Sequence, residues 1–272
     1  MANAIHIGAS IASLTDLGGA SYGLVLLRGE RVGLSGAQID LGELPGFDGG
    51  YAMVNGSRLR QMVLPCLVSG SSHSDALSKV ESVVALLNPA LGSQYLKLDS
   101  ESDRAWLGKV GGEISKKPRG IAAFELSIPW VCEHAHAYST SETVQTETVS
   151  SDPEAANVPA SGVVAGSAYA YPVWVVKNTS GSDSDPLSLN NATTAETVST
   201  SAGLANGAWA RFDAARQIIE KSTDSGSSWS AWMTARGAYR AIPRLKPGVA
   251  NSISLGGLSA GSLVCTYRAR YL

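Results

Sequence analysis

The sequence predicts a mainly β protein of two domains. The first, over residues 1–140, reads as a β-barrel-like or β-sandwich domain with one α-helix at about 74–88. The second, over 141–272, reads as a jelly-roll β-sandwich. Three observations lead there. Charged residues are only 16% of the 272, too few for a helical bundle. The 29 glycines lie among Ser-, Thr- and Val-rich segments, the composition of short strands and tight turns. Only one segment has helical periodicity. The 44% of apolar residues can fill a core and exclude a disordered chain.

In the first domain, Tyr22–Leu27, residues 57–68, residues 93–98 and Trp106–Val110 read as strands. Pro65 should bend its strand or push it to an edge. Leu44-Pro45-Gly46-Phe47-Asp48-Gly49-Gly50 is a turn cluster. Gly120–Val131 is the longest strand, with Phe124, Leu126, Ile128 and Trp130 alternating against Glu125 and Ser127. The helix follows from Leu77, Val80, Val84 and Leu87, spaced 3-4-3 along one face. Ser72 or Ser74 can cap its start, and Asn88-Pro89 stops it.

Residues 139–163 are rich in Ser, Thr and Ala and read as a linker plus an exposed strand, with the boundary at about 138–142. Eight strand candidates follow: Tyr171–Lys177, Leu187–Leu189, Trp209–Phe212, Gln217–Lys221, Trp229–Thr234, Ala241–Leu245, Ser252–Leu255 and Val264–Tyr271. Turns such as Asn206-Gly207 and Pro247-Gly248 separate them, the rhythm of an antiparallel sandwich.

The net charge of −2 argues against bulk electrostatic binding to nucleic acid or an anionic membrane. No apolar run reaches the length of a membrane span, and the start lacks the basic residues of a secretory signal. Residues 141–200 hold one base and seven acids, and 201–272 hold nine bases and three acids. These segments are expected to pair, basic strands beside acidic ones. Cys66, Cys132 and Cys265 are too sparse for a disulfide framework. They read as small core residues made in a reducing compartment.

Five constellations invite a chemical reading. Cys132, His134 and His136 alternate and would share a strand face, yet they lack a fourth spaced zinc ligand and read better as a strand end. Ser222-Thr223-Asp224-Ser225-Gly226-Ser227-Ser228-Trp229 resembles the Asp-box hairpin of sialidase propellers, a structural turn present here once. Asp183-Ser184-Asp185 lacks the spaced ligands of a calcium loop. Lys116-Lys117-Pro118-Arg119 reads as a solvated basic turn. Trp174, Trp209, Trp229 and Trp232 would stack on sugars if exposed, and read as core. His6, His73, His134 and His136 are the only histidines, which narrows any Ser-His-Asp site. No catalytic, cofactor-binding or metal residue is nominated.

The order of these pieces resembles the distal tail proteins of siphophages, the Dit family. The resemblance runs from LPGFDGGYAMVNGSRLRQMVLPCLVSGSSHSDALSKVESVVALLNP through Ser102-Asp103-Arg104-Ala105-Trp106-Leu107-Gly108-Lys109-Val110 and FELSIPWVCEHAHAY at 124–138. It continues with Ala170-Tyr171-Pro172-Val173-Trp174, Asn190-Asn191-Ala192-Thr193-Thr194, Arg211-Phe212-Asp213 and Leu245-Lys246-Pro247-Gly248-Val249-Ala250-Asn251-Ser252-Ile253. It departs at Ala135-His136-Ala137-Tyr138, where the family often has Asp-Pro before Ala-Tyr, and in one extra residue between Pro247-Gly248 and Asn251.

The resemblance implies a ring-forming N-terminal β-domain and a C-terminal galectin-like sandwich. It implies a non-enzymatic virion protein of the tail tip, made in the host cytoplasm and not inserted in a membrane. Six copies would form a homohexamer joining the tail tube protein to the tail hub or tail-associated protein. The tape measure and receptor-binding proteins are further expected partners, and DNA would pass the lumen unbound. A carbohydrate-binding module acting on host polysaccharide is the alternative, and exposed coplanar aromatics would favour it. A hydrolase needs an acid/base pair that the sequence does not offer.

Overall fold

The computed structural model describes residues 4–27, 37–43, 50–57, 60–232, 236–239 and 241–271, with backbone only at 37–43, 50–57 and 236–239. The chain divides into two compact units, 1–140 and 141–271. The turn cluster expected at 44–49 lies outside the described residues, as does the end of the strand expected at Trp229–Thr234.

The first unit contains β1 (Ile5–Gly8), β2 (Thr15–Asp16), β3 (Leu24–Leu26), β4 (Ala37–Glu43), β5 (Gly50–Ser57) and β6 (Gln61–Ser69). After helix α1 (His73–Leu86) come β7 (Gln94–Leu98), β8 (Arg104–Val110), β9 (Ser115–Pro118), β10 (Ala123–Cys132) and β11 (Ala137–Ser139). The main antiparallel sheet runs β2-β1-β7-β8-β10-β6-β3, and β4 pairs with β5 in a separate sheet.

The alternation along β10 is complete: Phe124, Leu126, Ile128, Trp130 and Cys132 are buried and their neighbours half-buried. Two prolines sit inside long strands, and each is placed where its missing N–H faces no ladder partner. The Pro65 carbonyl accepts from Leu27 N, so its nitrogen also points to that side, just past the end of β3. The expected edge is therefore local, and β6 itself is paired on both sides with β3 and β10. Pro129 lies where the neighbour of β10 changes from β9 to β8.

Helix α1 starts at the Ser72 cap, whose hydroxyl accepts from Asp75 N at 3.1 Å. Its buried face is Ala76, Val80, Val83 and Leu87, one position round from the Leu77–Val84 face that the spacing suggests. The absence of a side chain at Gly70 lets the helix backbone approach at Ala76, where a Cβ on Gly70 would collide. That seats Val83 inward and leaves Val84 41% exposed.

The second unit contains β12 (Thr143–Val149), β13 (Glu154–Val158), β14 (Val173–Asn178), β15 (Pro186–Asn191), β16 (Glu196–Gly203) and β17 (Trp209–Asp213). Then come β18 (Ile218–Ser222), β19 (Ser230–Ala231), β20 (Arg236–Tyr239), β21 (Asn251–Gly256) and β22 (Gly261–Tyr267). Two antiparallel sheets form, β12-β22-β14-β17-β18-β19 and β13-β21-β15-β16-β20. Their inner faces share one core, with Trp174, Val176, Phe212 and Leu263 from the first and Leu187, Leu189, Ile253 and Leu255 from the second. Both units are mainly β, as the composition implies.

Two expectations are corrected here. The polar stretch 139–163, expected as a linker plus one exposed strand, holds two outer strands, β12 and β13, because pairing with β22 and β21 satisfies its backbone without large apolar side chains. Ala241–Leu245 is no strand. Only Leu245 bridges, to Ala170, while Ile242 and Leu245 are buried as core plugs.

Candidate interaction surfaces

The Cys132-Glu133-His134-Ala135-His136 set does not converge. Strand β10 ends at Cys132 and the chain bends, so the two-residue period that would align the three side chains stops. Cys132 is buried and its thiol is pushed up to about 12 by burial, though Arg60 acts in the opposite direction. His134 instead meets the Tyr138 hydroxyl through Nδ1 at 2.8 Å. Among the described residues no group of three His, Cys, Asp or Glu side chains is placed to hold a metal. In the Gly/Ser loop, the Asp183 carboxylate accepts from Asn206 N at 3.2 Å.

The Asp-box segment closes the β18–β19 hairpin. Asp224 Oδ1 accepts from Ser222 Oγ at 2.5 Å and from Ser228 N at 2.9 Å, and Ser228 Oγ donates to Oδ2. Hydrogen bonds from Ser222 first, then Ser228, hold this carboxyl well below the usual range. Gly226 takes φ +83°, and its open Cα face receives the Trp229 ring. The acid serves the turn.

The four tryptophans divide. Trp174 is 0% exposed and donates from Nε1 to the Pro243 carbonyl at 3.0 Å, and Trp232 is buried. Trp209 and Trp229 are only half-buried, contrary to the expectation that all four are core. Each carries a cation: Lys177 Nζ lies 5.1 Å from the Trp209 ring centre, and the Arg211 guanidinium 4.4 Å from that of Trp229. Strands of the acidic and basic segments do pair, β12 with β22 and β13 with β21. The ion pairs between the segments, Glu196–Arg244 (2.6 Å) and Glu142–Arg268 (3.7 Å), use arginines outside strands, and the cross-strand pair Arg211–Glu220 lies within the basic segment.

One cluster had no sequence signal because its parts are far apart in the chain. The Arg244 guanidinium lies 4.7 Å from the Tyr169 ring centre, and that of Arg270 lies 4.6 Å from Tyr171. Burial pushes the Tyr171 phenol up, but hydrogen bonds from Arg244 and Arg270 outweigh it and leave the phenol below its ordinary value.

In the first unit, the basic turn forms β9 and its approach. Arg119 Nε bonds Glu125 at 2.5 Å, and Lys116 Nζ lies 5.3 Å from the Phe124 ring centre. The outward face of β3, β6 and β10 carries an apolar patch beside the polar Glu125 and Ser127: Leu27 and Val63 are both 45% exposed, Pro65 lies near Leu27, and Pro129 pairs with Val63. A groove of about 430 Å³ runs beside α1, lined by Val80, Val84, Ala85, Ile114 and Leu126.

No protein-family model and no curated protein matches the chain. Solved structures do match in fold. The Dit protein (gp 19.1) of phage SPP1, described as a paradigm of hub adsorption apparatus in Gram-positive infecting phages, superposes with a TM-score of 0.74 at 14% identity. The match covers 98% of this chain and 99% of that one. A chain of the phage P2 baseplate in its activated conformation with Ca gives a TM-score of 0.52 at 9% identity, covering 98% of each chain. The same baseplate with Sr gives 0.52 at 8%. At these identities the likeness is one of fold.

Proposed function

We propose that this chain is a structural protein of a siphophage tail tip, a distal tail protein. Six copies close into a ring that joins the tail tube to the hub and receptor-binding apparatus, and DNA passes through its lumen. The observation that carries the reading is the end-to-end correspondence with SPP1 Dit, which spans both units at once. The motif order in the sequence supports it independently.

The first unit carries the ring contacts in this reading. A closed ring needs head-to-tail contact between two different surfaces of each copy. The unit has an outward apolar patch at Leu27, Val63, Pro65 and Pro129 that suits one such contact. Residues 1–140 hold 11 basic and 13 acidic residues, a balance that favours passage of DNA over retention. The second unit acts as a galectin-like sandwich that meets protein neighbours. Saccharide stacking is disfavoured on Trp209 and Trp229, because Lys177 and Arg211 already lie over their rings.

Light scattering with negative-stain imaging of the purified chain tests the reading. The expected result is a six-fold ring with a central hole, retained after deletion of 141–272. A monomeric full chain at micromolar concentration overturns it.

A further inference from the structure

We propose that the β9 edge and the groove beside α1 together bind an extended segment of a partner protein by strand addition, a segment that alternates acidic and apolar residues. Among the described strands, β9 pairs with β10 alone. Arg119 N donates to the Ala123 carbonyl at 2.9 Å, so Ser115, Lys117 and Arg119 turn their backbone groups toward β10. The N–H and C=O of Lys116 and the C=O of Pro118 therefore face the open side. Pro118, which has no N–H, stands where its nitrogen has no strand to meet.

The groove borders this edge. An added strand would bond Lys116 through its backbone and place one side chain between Val84, Ala85 and Ile114. Backbone bonds supply affinity in such complexes, and the pocket for alternate side chains supplies selectivity. Charge defines the occupant. Lys116 and Lys117 make no ion pair among the described residues, whereas Arg119 is committed to Glu125. Lys116 and Glu81 both line the groove, whose face takes the apolar side chains of the segment, so its carboxylates lie on the opposite face, beside Lys117. Lysine and proline on an edge also repel indiscriminate pairing, including β9 with the β9 of another copy. The same residues that reject a neutral or basic strand select an acidic one.

The experiment uses the full chain and two probes, a peptide of alternating Glu and Val and its Lys/Val counterpart. Binding is read by fluorescence anisotropy, and the Lys116 amide by hydrogen exchange. The acidic peptide is expected to bind and to protect the Lys116 amide. Lys116→Glu with Lys117→Glu should weaken binding about tenfold or more, since like charges are brought together. Ala85→Trp fills the groove and should do the same; if that variant misfolds, the exposed lysine pair still decides. Equal binding of the Lys/Val peptide, absence of binding, or binding that leaves Lys116 unprotected overturns the proposal. Lys116 protection that rises with protein concentration alone also overturns it, assigning the edge to a second copy. None of these outcomes depends on ring formation.

Discussion

Replacing Asn251 with alanine is the sharpest test of how the second unit is held together. The residue is fully buried at the start of β21 and makes four hydrogen bonds. Its Oδ1 accepts from Lys246 N at 2.8 Å and from Asn191 Nδ2 at 3.1 Å. Its Nδ2 donates to the carbonyls of Lys246 at 3.0 Å and Val249 at 3.3 Å. After truncation Asn191 keeps its bond to the Arg244 carbonyl, and the Val249 carbonyl keeps Val164 N. The Lys246 amide and carbonyl keep neither partner. Lost bonds are worth about 0.5–1.5 kcal/mol net each, and a buried polar group left alone costs about 1–3. Lys246 is exposed, so water recovers part of that. The expected loss is about 2–4 kcal/mol. Urea unfolding followed by tryptophan fluorescence and circular dichroism measures it, with an unchanged denaturant slope showing that only stability moved. Asn157→Ala, at an exposed position of β13, is the control and should stay within about 0.5 kcal/mol. A loss below 1 kcal/mol for Asn251→Ala would refute the argument that this side chain pins the 246–251 turn to the β15–β16 corner.

Three further outcomes follow from the geometry. Hydrogen bonding from His6 holds the Asp99 carboxyl below its ordinary value, against burial, with the Ala4 amide adding to it. A depressed folded value means stability present above the unfolded carboxylate range and lost as pH falls through the folded one. An NMR titration should therefore find Asp99 titrating low, and His6→Ala should move it up. Burial pushes the Cys66 and Cys132 thiols up to about 12 and raises that of Cys265 as well. A thiol reagent at neutral pH should label none in the native chain and three in denaturant; fast native labelling would contradict the packing. Gly108→Ala would drive a methyl into the Val131 carbonyl where β8 meets β10, so denaturant unfolding should show a loss of about 2–3 kcal/mol.

The readable parts of this chain are those set by neighbours in sequence. The two-residue alternation from Phe124 to Trp130 gave the long strand and its buried face. The Ser72 cap and Asn88-Pro89 bracketed the helix. Periodicity did not decide which side of that helix is buried, because Leu77, Val80, Val84 and Ala76, Val80, Val83 both fit a 3.6-residue turn. The contact with Gly70 selected the second set. Only one strand was legible in the polar stretch that forms β12 and β13, for a related reason. Their strand state comes from pairing with β22 and β21, more than 90 residues later, and not from their own side chains.

By itself the sequence determined the β class, the single helix, the Asp-box turn and the segregation of charge, since each rests on spacing, local hydrogen bonding or counting. Tertiary structure alone decided where those features meet. It brought Glu196 to Arg244, set Arg211 over Trp229, and stacked arginines 244 and 270 on the rings of Tyr169 and Tyr171. It also turned Val84 toward a groove beside an open strand edge. Local periodicity fixes what a segment can become. Contacts between distant segments depend on strand register and close packing, which no window of sequence contains.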